Sequence, residues 1–325
     1  MNNTQSENIW GFDVLKFTLA IIIVSLHAGV ANHFNVPWSE YVRNLQNLAV
    51  PCFFLISSIL FFKKVFNETD SKSQWRRLWK YEKRLFTLYL IWQVILLPIS
   101  LITNDYLQHG LSGILLYLKD MVFSYTFPAS WFFGALIVAM PLVFLLRKHR
   151  GLLMGGALLL YVYFMTRSIQ PQWMQYAYDW YRELFAEPRL SFPEAFVWLS
   201  IGCCIADRVE ATKYKSLVLS MLFGGGIALS VMVNWCQIIG VLALLFLFLG
   251  FDYSDNNSNL YVRMRQYSTL FYCMHFTIIH ILWQRIPSTR HIFVWIVTVL
   301  ICFLLSEILV RLSKKDRFKF LKYLM

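Results

Sequence analysis

Charge is what this chain has least of. Asp, Glu, Lys and Arg make up 15% of its 325 residues, against about 25% in an ordinary soluble domain. Acids are scarcer than bases, 18 against 30, which leaves a net charge of +12. Cysteine is sparse too. All six (Cys52, Cys203, Cys204, Cys236, Cys273 and Cys302) fall in apolar runs. They have neither the spacing of a disulfide framework nor that of a zinc site, so no metal is expected. No low-complexity tract stands out, and no internal repeat is clear enough to use. The leading MNNTQSEN lacks the positive start and the cleavage site of a signal peptide, so the first apolar run reads as retained.

Hydrophobic residues fill the space that charge leaves. They reach 58% of the chain, with a mean hydropathy of +0.52. A helix needs about 20 mostly apolar residues to cross a bilayer. About ten stretches qualify, at roughly 12–32, 46–63, 84–103, 130–147, 151–167, 189–206, 214–233, 235–252, 267–286 and 291–312. The fold class is therefore all-α, a polytopic membrane protein forming one membrane-embedded domain over 1–325, with no room for a soluble domain. The stretch 111–128 is apolar but carries Lys119 and Asp120. It reads as an interfacial or re-entrant piece, with an eleventh span as the competing reading.

Basic residues orient the chain, because cytoplasmic loops carry an excess of Lys and Arg. With the N-terminus inside, 22 of the 30 fall on the cytoplasmic side. Eight of these (Lys63, Lys64, Lys72, Arg76, Arg77, Lys80, Lys83 and Arg84) follow the second span. Seven fall on the other side, among them Arg167, Arg189 and Arg285, and Lys16 lies inside the first span. An even span count with both termini cytoplasmic follows. It accounts for the positive charge without any nucleic acid partner.

Three residues of the first span are out of place in lipid: Asp13, Lys16 and His27. On an α-helix, Lys16 and His27 lie within about 20° of one face and ~16 Å apart along the axis, while Asp13 and His27 lie within about 40°. They share one stripe at different depths. The packing alternative lets Lys16 snorkel to the interface and His27 bond a neighbouring helix. Against it, ionisable groups inside membranes are costly and usually line a cavity or a relay.

The stretch FDVLKFTLAIIIVSLHA resembles the first helix of the membrane acyltransferases known as acyltransferase family 3, with its Asp, a cation three residues on and a later His. LAVPCFFLISSILFF is similar to that family's second span, and KYEKRLFTLYLIWQ to its basic entry to the third. SWFFGALIVAMPL is similar to the Trp-led fourth span and RLSFPEAFVWLSIGCCIA to the arginine-led sixth. YSTLFYCMHFTII is similar to a later span with Ser and, seven residues on, His. Departures are Lys16 where Arg is common, Ser58 where Gly is frequent, Leu88 in place of Pro, and Tyr81 in place of a basic residue.

The resemblance implies transfer of an acyl group, usually acetyl, from cytoplasmic acyl-CoA to a hydroxyl of a cell-surface or lipid-linked glycan. Such chemistry needs cations for the CoA phosphates, a base or a nucleophile, and donors for the oxyanion. His27 and Asp13 are the catalytic candidates, with His27 as base or acyl carrier, because imidazole titrates near neutrality. Lys16, Lys80, Lys83 and Arg84 are the donor-binding candidates, although topology has a rival claim on each. By resemblance Arg189, Trp131, His275 and Ser268 face acceptor or intermediate. Their rival roles are interfacial anchoring and helix packing. Arg189 and Glu194 are five apart, a spacing that puts them on different faces of one helix. Acyl-CoA is the expected co-substrate, membrane lipid and a glycan or lipid-linked sugar the expected partners. The competing class is a transporter or flippase, which Pro51, Pro98 and Pro141 inside spans would suit; a sensor or scaffold without chemistry leaves the polar stripe unexplained.

Overall fold

The computed structural model describes residues 9–165, 171–209, 216–233, 236–251, 253–287 and 289–325. Arg167, Lys213 and Lys215, counted above for orientation, lie outside them. The described residues hold no strand. Their helices in chain order are α1 (Trp10–His27), α2 (Trp38–Asn47), α3 (Ala49–Phe66), α4 (Ser71–Thr103), α5 (Gly110–Phe123), α6 (Ser130–Leu146), α7 (Arg150–Met165), α8 (Gln172–Leu184), α9 (Phe192–Ile205), α10 (Ser216–Met232), α11 (Gln237–Leu249), α12 (Ser258–Trp283) and α13 (His291–Leu312).

Each expected span falls on one of these helices. Four stretches are long and apolar enough to cross a membrane by length and composition: α1, the run Trp38–Phe66, α4 and α13. Four shorter helices, α6, α7, α9 and α11, are also apolar. Several boundaries differ from the expectation, each for a local reason. α1 stops at His27, not 32, because Gly29 takes a left-handed conformation (φ 70°), which glycine adopts without a Cβ penalty. α4 starts well before 84, because the Asp70 carboxylate accepts the Ser73 N–H at 2.8 Å and caps the helix. Its 33 residues span about 50 Å, some 20 Å more than the hydrocarbon core. Lys72, Arg76, Lys80 and Lys83 therefore stand on a helical extension, not in a loop. α2 and α8 are helices where loops were expected.

The chain forms two compact units. One holds residues 1–53, 209–323 and 325; the other holds 54–208 and 324. In the first, α1 packs along α12, α12 on α13, and α10 on α11. Phe12, Leu15, Leu19, Ile23 and Val24 form the buried side of α1, at the spacing of three and four residues that makes one helical face. A Cβ on Gly240 would lie 2.1 Å from the Ser230 hydroxyl, so glycine sets the closeness of α10 and α11. Of the three consecutive glycines of α10, Gly226 lies against Ile239, whereas Gly224 and Gly225 have nothing within 4 Å of a built Cβ.

Pair contacts give helix directions within each unit. In the first, Asp13 meets Arg265 and His27 meets His275, so α1 and α12 run parallel. α13 runs opposite, with His291 at Ala28 and Trp295 at Ile21. In the second, Phe54 stacks on Phe132 and Phe61 lies by Phe144, so α3 and α6 run parallel. α4 opposes α6, since Trp75 meets Phe144 and Tyr89 meets Phe133. α7 opposes α9 through Arg150–Asp207 and Tyr161–Trp198. These directions bear on the stretch 111–128. Were α5 a full crossing between α4 and α6, α6 would run against α3. The Asn104 amide also donates to the Thr126 carbonyl at 2.8 Å, so the chain leaves and returns at one end of its unit. Both observations favour a re-entrant or interfacial α5 over an eleventh span, the point that the labelling experiment below tests.

Candidate active site

The first unit builds a polar line between α1 and α12. At one end Asp13, buried to 2% exposure, accepts two hydrogen bonds from Arg265: Nε to Oδ1 at 2.8 Å and a terminal nitrogen to Oδ2 at 2.7 Å. This fork-on-carboxylate geometry is the strong form of an ion pair. At the other end the His27 and His275 rings lie 5.0 Å apart, tilted by 42°. Because α1 and α12 run parallel, one brace and one imidazole couple fix the same pair of helices at two depths.

His275 is locked. Its Nδ1 lies 2.9 Å from the Phe271 carbonyl, and a carbonyl only accepts, so Nδ1 carries the proton. The Nε2 lone pair is buried and has no hydrogen-bond partner among the described residues. His27 is half-buried, and Phe276 presents its ring edge-on at 5.7 Å. The turn after His27 is also held. His291 Nδ1 lies 3.1 Å from the Ala28 carbonyl, and a Cβ on Gly29 would approach that nitrogen to 2.9 Å. Two neutral imidazoles, each with an acceptor nitrogen, at the end of an apolar helix can take and hand on a proton.

The other candidates are placed as follows. Lys16 is half-buried on α1. Ser268 is buried, and its hydroxyl donates to the Arg265 carbonyl at 2.8 Å; it lies two turns from His275 and is not brought to the imidazoles. In the second unit Lys80, Lys83 and Arg84 are exposed on the extension of α4. Trp131 opens α6 and packs edge-on against Phe54 at 5.8 Å.

Arg189 and Glu194 correct the expectation that they diverge. Arg189 stands on a short 3-10 turn (Pro188–Leu190), and Ser191 is extended before α9 begins. The break brings Arg189 Nε to 3.9 Å from Glu194 Oε2. Glu194 is buried and also accepts the Trp198 indole N–H at 2.7 Å.

Arg265, His291 and Phe276 were not singled out from sequence. Arg265 was absorbed by the topological count of cations, and nothing near His291 in sequence marks it. Glu307, near the C-terminal end of α13, bonds Tyr267 and Arg311 and lies 3.9 Å from Arg263. It is a paired structural acid.

Apolar helices carrying an ion pair and an imidazole couple are what a membrane protein presents. More specifically, the chain belongs to acyltransferase family 3: the family model described as an acyltransferase domain matches residues 9–312, nearly the whole chain. It is thus a membrane acyltransferase. No curated protein and no solved structure matches it.

Proposed function

We propose that the protein transfers an acyl group, acetyl in the simplest case, from cytoplasmic acyl-CoA to a hydroxyl of a cell-surface or lipid-linked glycan. The observation that carries this reading is the His27–His275 couple. His27 takes the proton of the acceptor hydroxyl as its oxygen attacks the thioester carbonyl. The tetrahedral intermediate collapses, the C–S bond breaks, and the departing thiolate receives the proton. In the covalent variant a His27 nitrogen attacks the thioester carbonyl, the C–S bond breaks and CoA leaves as the thiol, taking the imidazole's proton; the acceptor hydroxyl then attacks the acyl-imidazole, the N–acyl bond breaks and the hydroxyl proton returns to His27. His275 Nε2 is the second proton acceptor of the couple.

For the phosphates of CoA, Lys16 is the candidate in the first unit, and Lys80, Lys83 and Arg84 are separate candidates in the second. Arg189 and Trp131 are assigned to the acceptor. Asp13 is assigned to bracing α12 through Arg265, because both its oxygens are engaged there. The site is assigned to the cytoplasmic (inner) membrane, with the CoA side and both termini inside.

The test is acetyl-CoA titration by calorimetry, with release of free CoA followed, on protein in nanodiscs. Wild type binds and slowly releases CoA. His27→Ala binds but releases it at least about 100-fold more slowly, the usual loss for a general base. Lys16→Ala binds more weakly. An unchanged rate in His27→Ala removes His27 from the chemistry. Absence of binding by wild type to acetyl-CoA and to longer acyl-CoAs removes the donor assignment and returns a transporter to consideration, to be tested by substrate flux.

A further inference from the structure

α8 divides its surface into three sectors. With 100° per residue, Trp173, Tyr176, Trp180 and Leu184 fall on one arc of about 80°. These four side chains are 68%, 64%, 65% and 45% exposed. A second sector faces the protein. Tyr178 is buried there and donates to the Glu187 carboxylate, while Tyr181 shares a hydrogen bond with Ser191 at 3.1 Å. Met174 belongs to the same sector, its carbonyl accepting from the Tyr163 hydroxyl of α7 at 3.2 Å. The third sector holds Gln172, Gln175, Asp179, Arg182 and Glu183, all exposed.

Three faces imply three surroundings. The second sector has the protein, and the third is suited to water. The first is an unbroken apolar and aromatic stripe that water would solvate poorly. Its chemistry is that of the bilayer interface, where Trp and Tyr place an apolar ring in lipid and a polar edge among headgroups. α8 is also fastened at the level where apolar helices end. Tyr163 holds it to the last turns of α7, and Tyr181 holds it to Ser191, the residue before α9.

We propose that α8 is a membrane-surface helix, lying in the plane of the interface with Trp173, Tyr176, Trp180 and Leu184 seated in the headgroup layer. An amphipathic helix in this position lies with its apolar stripe at the acyl boundary and its charged sector outward. The assignment does not depend on the acyl-transfer chemistry.

The experiment is site-directed spin labelling of the full chain in phosphatidylcholine nanodiscs, in a background with the six cysteines replaced. Labels at 173, 176, 180 and 184 are expected to collide readily with dissolved oxygen and poorly with a water-soluble nickel chelate. Labels at 175, 179 and 182 are expected to show the reverse. Nickel access at 173 and 180 equal to that at 175 and 182 puts the stripe in water and overturns the proposal. Exclusion of both reagents at 173 and 180 puts a protein there, a partner or a second copy, and overturns it equally. Should the cysteine-free chain fail to fold, the Trp173→Phe/Trp180→Phe variant keeps all six. With phospholipid brominated near the headgroup, its quenchable emission falls below that of the native protein with its 12 tryptophans. Unchanged quenching overturns the proposal.

Discussion

A buried carboxylate in an apolar helix needs a partner, and Asp13 finds one that sequence reading had no means to name. Arg265 is 252 residues away in the chain, and local spacing carries no sign of so distant a partner. The distinction matters, because a brace and a catalytic acid respond differently to substitution. Asp13→Asn leaves Arg265 without its counter-charge. Breaking a buried pair costs about 3–5 kcal/mol, but the Arg265 side chain is 45% exposed, so screening lowers the expected loss to about 1–2 kcal/mol. The exchanged pair Asp13→Arg/Arg265→Asp should recover most of the thermal stability and of the CoA release lost in either single variant. Recovery of stability without any activity would instead put Asp13 itself in the chemistry. His27 and His275, by contrast, were legible as residues, since imidazoles in apolar helices are rare enough to be noticed. Their meeting was not, because it depends on which two of many apolar helices pack side by side.

Helix identity was easily read at the level of elements, and helix ends were not. Hydropathy placed each expected span on a helix, because a lipid-facing or buried apolar run has few other ways to satisfy its backbone. Boundaries depend on single residues that hydropathy averages away: Asp70 capping α4, Gly29 closing α1, Ser191 breaking the chain between Arg189 and Glu194. Close approach of helices is equally a matter of one atom. Ser58, where glycine is frequent in the family, donates to the Leu199 carbonyl at 2.6 Å. Gly202 makes room for it, since a Cβ there would lie 2.5 Å from that of Ser58. Gly202→Ala should therefore destabilise by about 1–3 kcal/mol, the range for overpacking. Ser58→Gly added to it should recover part of that loss, although Ser58→Gly alone loses a hydrogen bond. Thermal unfolding of the four proteins in detergent measures the coupling, and additive losses would mean that α3 and α9 do not touch at this point.

Within each unit, the helix pairs whose directions side-chain contacts give (α1 with α12 and α13, α3 and α4 with α6, α7 with α9) run in the senses that the expected order of spans assigns them. This agreement was not built into the count. It came from hydropathy and charge, whereas the directions come from side-chain pairs such as Phe54–Phe132 and Trp75–Phe144. Together they make α5 decisive. Leu111, Ile114, Leu115, Leu118 and Val122 are exposed, apolar enough for a crossing to be a serious alternative, yet the Asn104–Thr126 bond closes the segment on itself. Cysteines placed at Ser112 and Ser124, near the two ends of α5, should react with a membrane-impermeant maleimide from the same side. Cysteines at Lys72 and Lys148 should react from the opposite side, and intact cells should label the first pair alone if both termini are cytoplasmic. Ser112 and Ser124 labelling from opposite sides would make α5 a crossing. The number of spans would then be odd, the termini would be separated by the membrane, and the basic extension of α4 could no longer share a compartment with both the N-terminus and the C-terminal tail. Labelling of the first pair only in broken cells would invert the whole molecule. The cations assigned to CoA would then face away from the cytoplasmic supply of acyl-CoA, so the donor assignment stands or falls with this topology.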